Sequence, residues 1–243
     1  MQLNGDLGES FGPWKMGMDE QLMPHLHRAN IACGFHASDP VTMDRTVALA
    51  VKHGVTIGAH PGYPDLQGFG RRSIPCSHDE IVALITYQVG ALAAIAYRHS
   101  ATLAYVKPHG ALYNDMMADD AVCSAVMEAV AGCAGDLSLV MLSTAENSRY
   151  LQMAQPLGLP LEFELFADRA YGDDGRLVPR SQPGAVLHDS KQITERMQQL
   201  LASGELVSIN GKPLRLQADT LCVHGDNPDA VDVARQLRQL LDG

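Results

Sequence analysis

The sequence predicts a parallel α/β protein of one domain, and three observations carry that prediction. Seven short apolar runs, at residues 2–6, 29–33, 55–60, 103–107, 137–142, 161–166 and 220–224, each have the length of a buried strand. Helical stretches with recognisable ends lie between them, so strand and helix alternate almost throughout. The chain has 243 residues, 46% hydrophobic and 19% charged, enough for one α/β unit of roughly 250 residues. Such alternation means parallel strands joined by right-handed crossovers, in an open doubly wound sheet or a closed barrel.

The helix ends follow in order. Ser38-Asp39-Pro40 offers a cap and a proline at the first helical position, and Gly54 closes that helix after His53. Ser77 and Glu80 have capping-box spacing and open an apolar stretch over residues 81–97. At about 17 residues, broken by Thr86, Gln88 and Gly90, it reads as a buried helix rather than a membrane span. Thr144 precedes a helix running to about Ala154, Ser190 caps another that stops before Gly204, and Asn227-Pro228 opens the last. Two segments break the alternation. Residues 61–76 form a Gly/Pro-rich loop, and within 204–216 the run Ile209-Asn210-Gly211-Lys212 reads as a hairpin turn. Loops longer than about a dozen residues are usually functional.

The net charge of −10 and a single adjacent basic pair, Arg71-Arg72, argue against a nucleic-acid partner. The N-terminus has no basic-then-apolar leader, so a cytoplasmic protein without a membrane partner is expected. Five scattered cysteines without a C-x-x-C pair read as reduced thiols.

Ionisable and polar residues end the apolar runs. They are Asn4 and Asp6, His36, His60, Lys107 and His109, Glu164 and Asp168, and His224 and Asp226; only the fifth run ends blandly, in Ser143. In a parallel α/β protein those ends gather on one face, so residues that singly read as surface groups together predict one site. Gly68-Phe69-Gly70-Arg71-Arg72 joins flexible glycines to two guanidinium groups suited to a carboxylate or phosphate. The run from Lys107 to Asn114 places an ammonium, an imidazole, the Tyr113 phenol and an amide within eight residues. No G-x-x-x-x-G-K-[ST], G-x-G-x-x-G, G-x-S-x-G or H-E-x-x-H motif is present. What remains is acid–base chemistry or metal-assisted hydrolysis. For the latter, Asp6, His60 and His109 are candidate ligands of a divalent metal.

These blocks carry a family resemblance. Asn4-Gly5-Asp6-Leu7-Gly8-Glu9, the stretch from Ala29 through Gly34-Phe35-His36 to Pro40, Gly58-Ala59-His60-Pro61-Gly62-Tyr63-Pro64-Asp65, Gly68-Phe69-Gly70-Arg71-Arg72, Lys107-Pro108-His109-Gly110-Ala111-Leu112-Tyr113-Asn114, Phe166-Ala167-Asp168-Arg169-Ala170-Tyr171 and Cys222-Val223-His224-Gly225-Asp226 occur in order along almost the whole chain. In these the chain resembles the LamB/YcsF family, which commonly has Gly where Ser38 stands and often Ser where Gly62 stands.

The resemblance implies a distorted seven-stranded β/α barrel of the glycoside hydrolase/deacetylase type. It also implies the role of the A component in a prokaryotic ATP-dependent 5-oxoprolinase, which opens 5-oxo-L-proline to L-glutamate in a complex with subunits B and C. Lacking a nucleotide loop, this chain is expected to leave ATP mainly to those partners. In that scheme Arg71 or Arg72 holds the substrate carboxylate or a transferred phosphate and Lys107 stabilises the oxyanion. Asp6 or His60 activates water, and His109 or His224 protonates the leaving nitrogen. Asn4, Glu9, His36, Tyr113, Asn114, Glu164, Asp168, Arg169 and Asp226 are further candidate substrate contacts. A metal-dependent deacetylase of N-acetylated sugars and a non-catalytic scaffold of the same complex are the alternatives, and self-association is left open.

Overall fold

Period-two alternation gives each strand one outward and one inward face. Outward side chains such as Leu3, Leu7, Ile31, Ile57, Val106, Leu139, Met141, Leu165 and Leu221 belong to a single hydrophobic core shared with the surrounding helices. The computed structural model describes residues 1–224 and 229–243. Strands β1 (Gln2–Leu7), β2 (Arg28–Ala32), β3 (Thr56–His60), β4 (Leu103–Val106), β5 (Ser138–Leu142) and β6 (Leu161–Phe166) follow the predicted runs to within one or two residues. Between β6 and the last barrel strand, β7 (Leu206–Val207) and β8 (Pro213–Leu214) form the antiparallel hairpin expected around Asn210-Gly211. Strand β9 (Thr220–Val223) then pairs with both β6 and β1, closing a seven-stranded, all-parallel barrel.

Helices α1 (Asp19–Leu22), α2 (Pro40–His53), α3 (His78–Arg98), α4 (Gly110–Ala118), α5 (Asp120–Ala131), α6 (Asn147–Ala154), α7 (Ser190–Ser203) and α8 (Ala230–Asp242) accompany the barrel. The predicted caps of α2 form: the Asp39 carboxylate accepts from the amides of Val41 and Thr42, and Gly54 ends the helix in a left-handed conformation. Ser77 and Glu80 make the reciprocal capping box. Helix α7 is capped by Asp189 rather than Ser190, because the carboxylate one position earlier reaches the amides of Lys191 and Gln192. Helix α6 starts at Asn147, three residues past Thr144, and the predicted opening of α8 at Asn227-Pro228 lies outside the described residues.

Helix α3 has 21 residues rather than 17, long and apolar enough to cross a membrane by composition alone. In this fold it packs Ile81, Ile85, Val89, Leu92 and Ala96 inward and leaves Tyr87 and Tyr97 exposed. Two short helices, α4 and α5, fill the β4–β5 connection, where the sequence marked no element.

The barrel interior is polar and layered. Arg28 on β2 donates 2.9 Å across to Glu162 on β6, a strand it does not neighbour, and its guanidinium lies 3.9 Å from the centre of the Tyr105 ring. Above this pair, Tyr105 donates to Asn30 at 2.6 Å, Asn30 to Asn4 at 2.7 Å, and Asn4 to Thr220 at 2.8 Å. Tyr105 fits because β3 has Gly58 opposite it: a Cβ there would sit 2.1 Å from the ring, and the β3–β4 register shifts at this point. The stacked polar layers form the floor on which the mouth of the barrel is built.

Candidate active site

The top layer comes from residues one period above the floor. Asp6 on β1, His60 on β3, Lys107 just past β4, Cys222 on β9 and His224 just past β9 meet at the C-terminal mouth. Lys107 Nζ lies 3.1 Å from Asp6 Oδ1, 3.2 Å from Glu164 Oε2 and 3.1 Å from Cys222 Sγ. Burial works against its charge, but Asp6, Cys222 and Glu164 outweigh that and hold the ammonium well above its usual range. Burial would likewise raise Asp6, yet His60 and Lys107 prevail and keep it a carboxylate. Asn30 and Lys107 share Asp6 Oδ1, leaving Oδ2 to His60 Nε2 at 3.4 Å and His224 Nε2 at 3.9 Å.

His224 is oriented from behind. Its Nδ1 lies 2.8 Å from Asp168 Oδ2, its ring stacks on Phe166, and Nε2 faces the Arg180 guanidinium at 3.3 Å. Burial disfavours the imidazolium, but the Asp168 charge and hydrogen bond outweigh it and raise the His224 pKa.

Across the mouth, His36 stacks flat on His109 with ring centres 3.6 Å apart, and His60 meets His109 edge-on. Burial first, then neighbouring imidazoles, push His36 and His109 well below the usual histidine value. Glu9, beside them, is raised by burial and then by Asp6.

The 61–76 loop completes this side. Gly70 has φ +63°, and a Cβ there would fall 2.7 Å from His36 Cβ and 2.8 Å from His109 Cδ2. Only glycine lets the loop settle over the imidazoles, with the Phe69 carbonyl 2.9 Å from His109 Nε2 and the Gly70 carbonyl accepting from the Ala111 amide.

These groups line one cavity of about 560 Å³. Asp6, Glu9, His60, Arg71, Lys107, His109, Tyr113, Asn114, Arg169 and His224 all border it. Asn4 and Glu164 lie beneath its floor, fully buried, and support Lys107 instead of touching the cavity. His36 sits behind His109, and Asp168 behind His224.

Arg72 departs from expectation. Its guanidinium is bound to Asp65 within the loop and largely exposed, since Asp65 also accepts from the Gly68 amide and draws the side chain away from the mouth. Asp226 lies outside the described residues. Of the proposed metal trio, His60 and His109 meet at 3.0 Å, while Asp6 is committed through Oδ1 to Lys107 and Asn30.

Sequence reasoning missed Asn30, Tyr105, Cys222, Arg176 and Arg180. The first three were signalled by period two, standing two residues before or after Arg28, Lys107 and His224 on inward faces. Arg176 and Arg180 border the cavity from the 167–189 segment, which offered no strand or helix pattern. Arg169 anchors that segment by donating to the carbonyls of Val178 and Ala185; burial and then Arg180 bring its pKa down to about 10.

The LamB/YcsF family model matches residues 1–243. The chain is 54% identical over 240 residues to the A 3 subunit of 5-oxoprolinase from Pseudomonas aeruginosa, covering 99% of this chain and 96% of that one. It is 52% identical over 242 residues to the 5-oxoprolinase A-subunit of Vibrio cholerae, covering 100% and 98%. Its fold superposes with a TM-score of 0.91 on the crystal structure of a lactam utilization protein from Thermus thermophilus, at 40% identity and 100% and 96% coverage. Together with the closed barrel, these matches show that the chain belongs to the LamB/YcsF family.

Proposed function

We propose that this chain is the ring-opening component of an ATP-dependent 5-oxoprolinase, in which partner subunits B and C activate the lactam and the barrel mouth hydrolyses it. A five-membered lactam is a stable amide, and phosphorylation of its carbonyl oxygen makes the ring carbon electrophilic. Water then bonds to that carbon, the C–N bond breaks, and the nitrogen takes a proton. The product is γ-glutamyl phosphate, which a second water converts to glutamate and phosphate.

One arrangement supports this reading above all. Asp6 Oδ2 stands between His60 and His224 on the floor of a cavity whose border includes Arg71, Arg176 and Arg180. The guanidinium groups suit a carboxylate and a phosphate. Asp6 orients and deprotonates water; Lys107 stabilises the developing oxyanion; and His224, oriented by Asp168 and with its pKa raised by it, supplies the proton to nitrogen. The names of the relatives point to the same lactam chemistry.

ATP-dependent glutamate release from 5-oxoproline, measured with co-purified partners, tests the proposal. Release should require this chain and collapse with Asp6→Asn while the complex still assembles. Ring opening by the partners alone, or full activity of the assembled Asp6→Asn complex, would overturn it in favour of a scaffold.

A further inference from the structure

Two imidazoles at the mouth present bare nitrogens to each other. His60 Nδ1 lies 2.7 Å from the Lys107 carbonyl, and His109 Nε2 lies 2.9 Å from the Phe69 carbonyl. A carbonyl only accepts, so each of those nitrogens carries its ring's proton. With one proton on each ring, the lone pairs fall on His60 Nε2 and His109 Nδ1, which face each other at 3.0 Å. Neither has a proton to give the other, and two lone pairs held together in a buried site repel unless a cation joins them.

A third donor converges on the same point. Glu9 Oε1 is 3.7 Å from His109 Nδ1, and the candidate ligand atoms of Glu9, His60 and His109 all lie within 4.8 Å of one another. A tetrahedral ion with bonds of about 2.0–2.1 Å separates its ligand atoms by about 3.3–3.4 Å, a value that 3.0 and 3.7 Å bracket. The outer contacts have the matching form. Ligating histidines characteristically donate their second N–H to a carbonyl, and ligating carboxylates are themselves hydrogen-bonded. Here both imidazoles have such carbonyls, and His36 Nε2 lies 3.3 Å from Glu9 Oε1. Charge agrees as well: the Lys107 ammonium lies against Asp6 and Glu164, whereas the described partners of Glu9 are imidazoles.

We infer that Glu9, His60 and His109 bind a divalent transition-metal ion of the zinc class, with His36 holding Glu9 in place. Two neutral imidazoles and one carboxylate suit such an ion better than magnesium or calcium, which take oxygen ligands. Asp6 Oδ2, 3.4 Å from His60 Nε2, borders the remaining coordination space without being a ligand. This set replaces the trio Asp6, His60 and His109 expected from the sequence. It also stands apart from the lactam reading, because metal uptake is measured without turnover.

The test uses untagged full-length chain, stripped with chelator and titrated with zinc chloride, with cobalt chloride as a spectroscopic probe. Elemental analysis should give about one zinc per chain, and cobalt should produce the intense visible bands of a tetrahedral site. Glu9→Gln, a nearly isosteric change, should weaken zinc at least tenfold, and His60→Gln or His109→Gln should abolish uptake. His36→Gln should lower affinity by about 10- to 100-fold yet keep the stoichiometry at one, the split expected of a positioning residue. His99→Gln, at a surface histidine paired with Asp44, should change nothing. Circular dichroism of each variant confirms folding. Uptake below about 0.1 zinc per folded wild-type chain overturns the site. So does stoichiometric binding that survives Glu9→Gln, His60→Gln and His109→Gln unchanged.

Discussion

Lys107 stands between Asp6 and Glu164, its ammonium 3.1 Å from one carboxylate and 3.2 Å from the other. All three side chains are at most 9% exposed, so the cation is what lets two acids share the top of the barrel. Removing one partner from a buried ionic cluster costs about 3–5 kcal/mol, because the remaining charge is left uncompensated. Lys107→Ala should therefore lower the urea midpoint by the equivalent of about 3–5 kcal/mol. If Lys107 also stabilises the oxyanion, kcat of the assembled enzyme should fall roughly 10²–10³-fold. A loss in turnover below fivefold would leave Lys107 a purely structural cation.

The His224–Asp168 pair makes stability depend on pH in a defined direction. His224 is raised above 6.5, chiefly because Asp168 outweighs burial. Its contribution is thus fully present below 6.5 and fades as pH rises through the folded-state value. Asp168 is held below 3.8, because His224 outweighs burial, so its contribution is present above 3.8 and fades as pH falls. The pair stabilises most between about pH 4 and 6.5. In Asp168→Asn the His224 carbon-bound proton signals should titrate at lower pH than in wild type, and the advantage of wild type in chemical denaturation should shrink above that window.

Gly70 offers a test of loop placement. Alanine there must adopt φ +63° and put a methyl 2.7 Å from His36 and 2.8 Å from His109. The left-handed conformation alone costs about 1–2 kcal/mol, and the clash must move either the loop or the imidazoles. Gly70→Ala should lower the melting temperature and lower kcat together. A drop in melting temperature with full activity would show that the Phe69 carbonyl and His109 need not be held in register.

Ser38 occupies the opposite situation. It is fully buried with φ +76°, a conformation unfavourable for any residue with a Cβ, and its hydroxyl makes one long contact of 3.4 Å to the Asp39 carbonyl. Ser38→Gly relieves about 1–2 kcal/mol of backbone strain and gives back about 0.5–1 kcal/mol in unfolded-chain entropy. The net expectation is a gain of up to about 1.5 kcal/mol in stability at the denaturation midpoint, with activity unchanged. A destabilised glycine variant would mean that the hydroxyl contact outweighs the strain.

The linear sequence by itself determined the seven strands, the caps at Asp39, Gly54 and the Ser77–Glu80 box, and the rule that polar residues end the strands. Each of these depends on neighbours a few residues apart: period-two patterning, or a side chain reaching an amide two or three positions on. Tertiary structure alone decided which of the strand-end groups touch. Asn4 bonds Thr220 across 216 positions, Tyr105 reaches Asn30 across 75, and Lys107 pairs with Asp6 across 101. Those meetings depend on barrel closure through β9, on the register of each ladder and on the gap that Gly58 leaves for Tyr105. The same long-range geometry turned Arg72 toward Asp65, brought Arg180 to His224, and gathered Glu9 with His60 and His109 while binding Asp6 to Lys107. Local chemistry could name the ionisable groups, but closing the cylinder chose their partners.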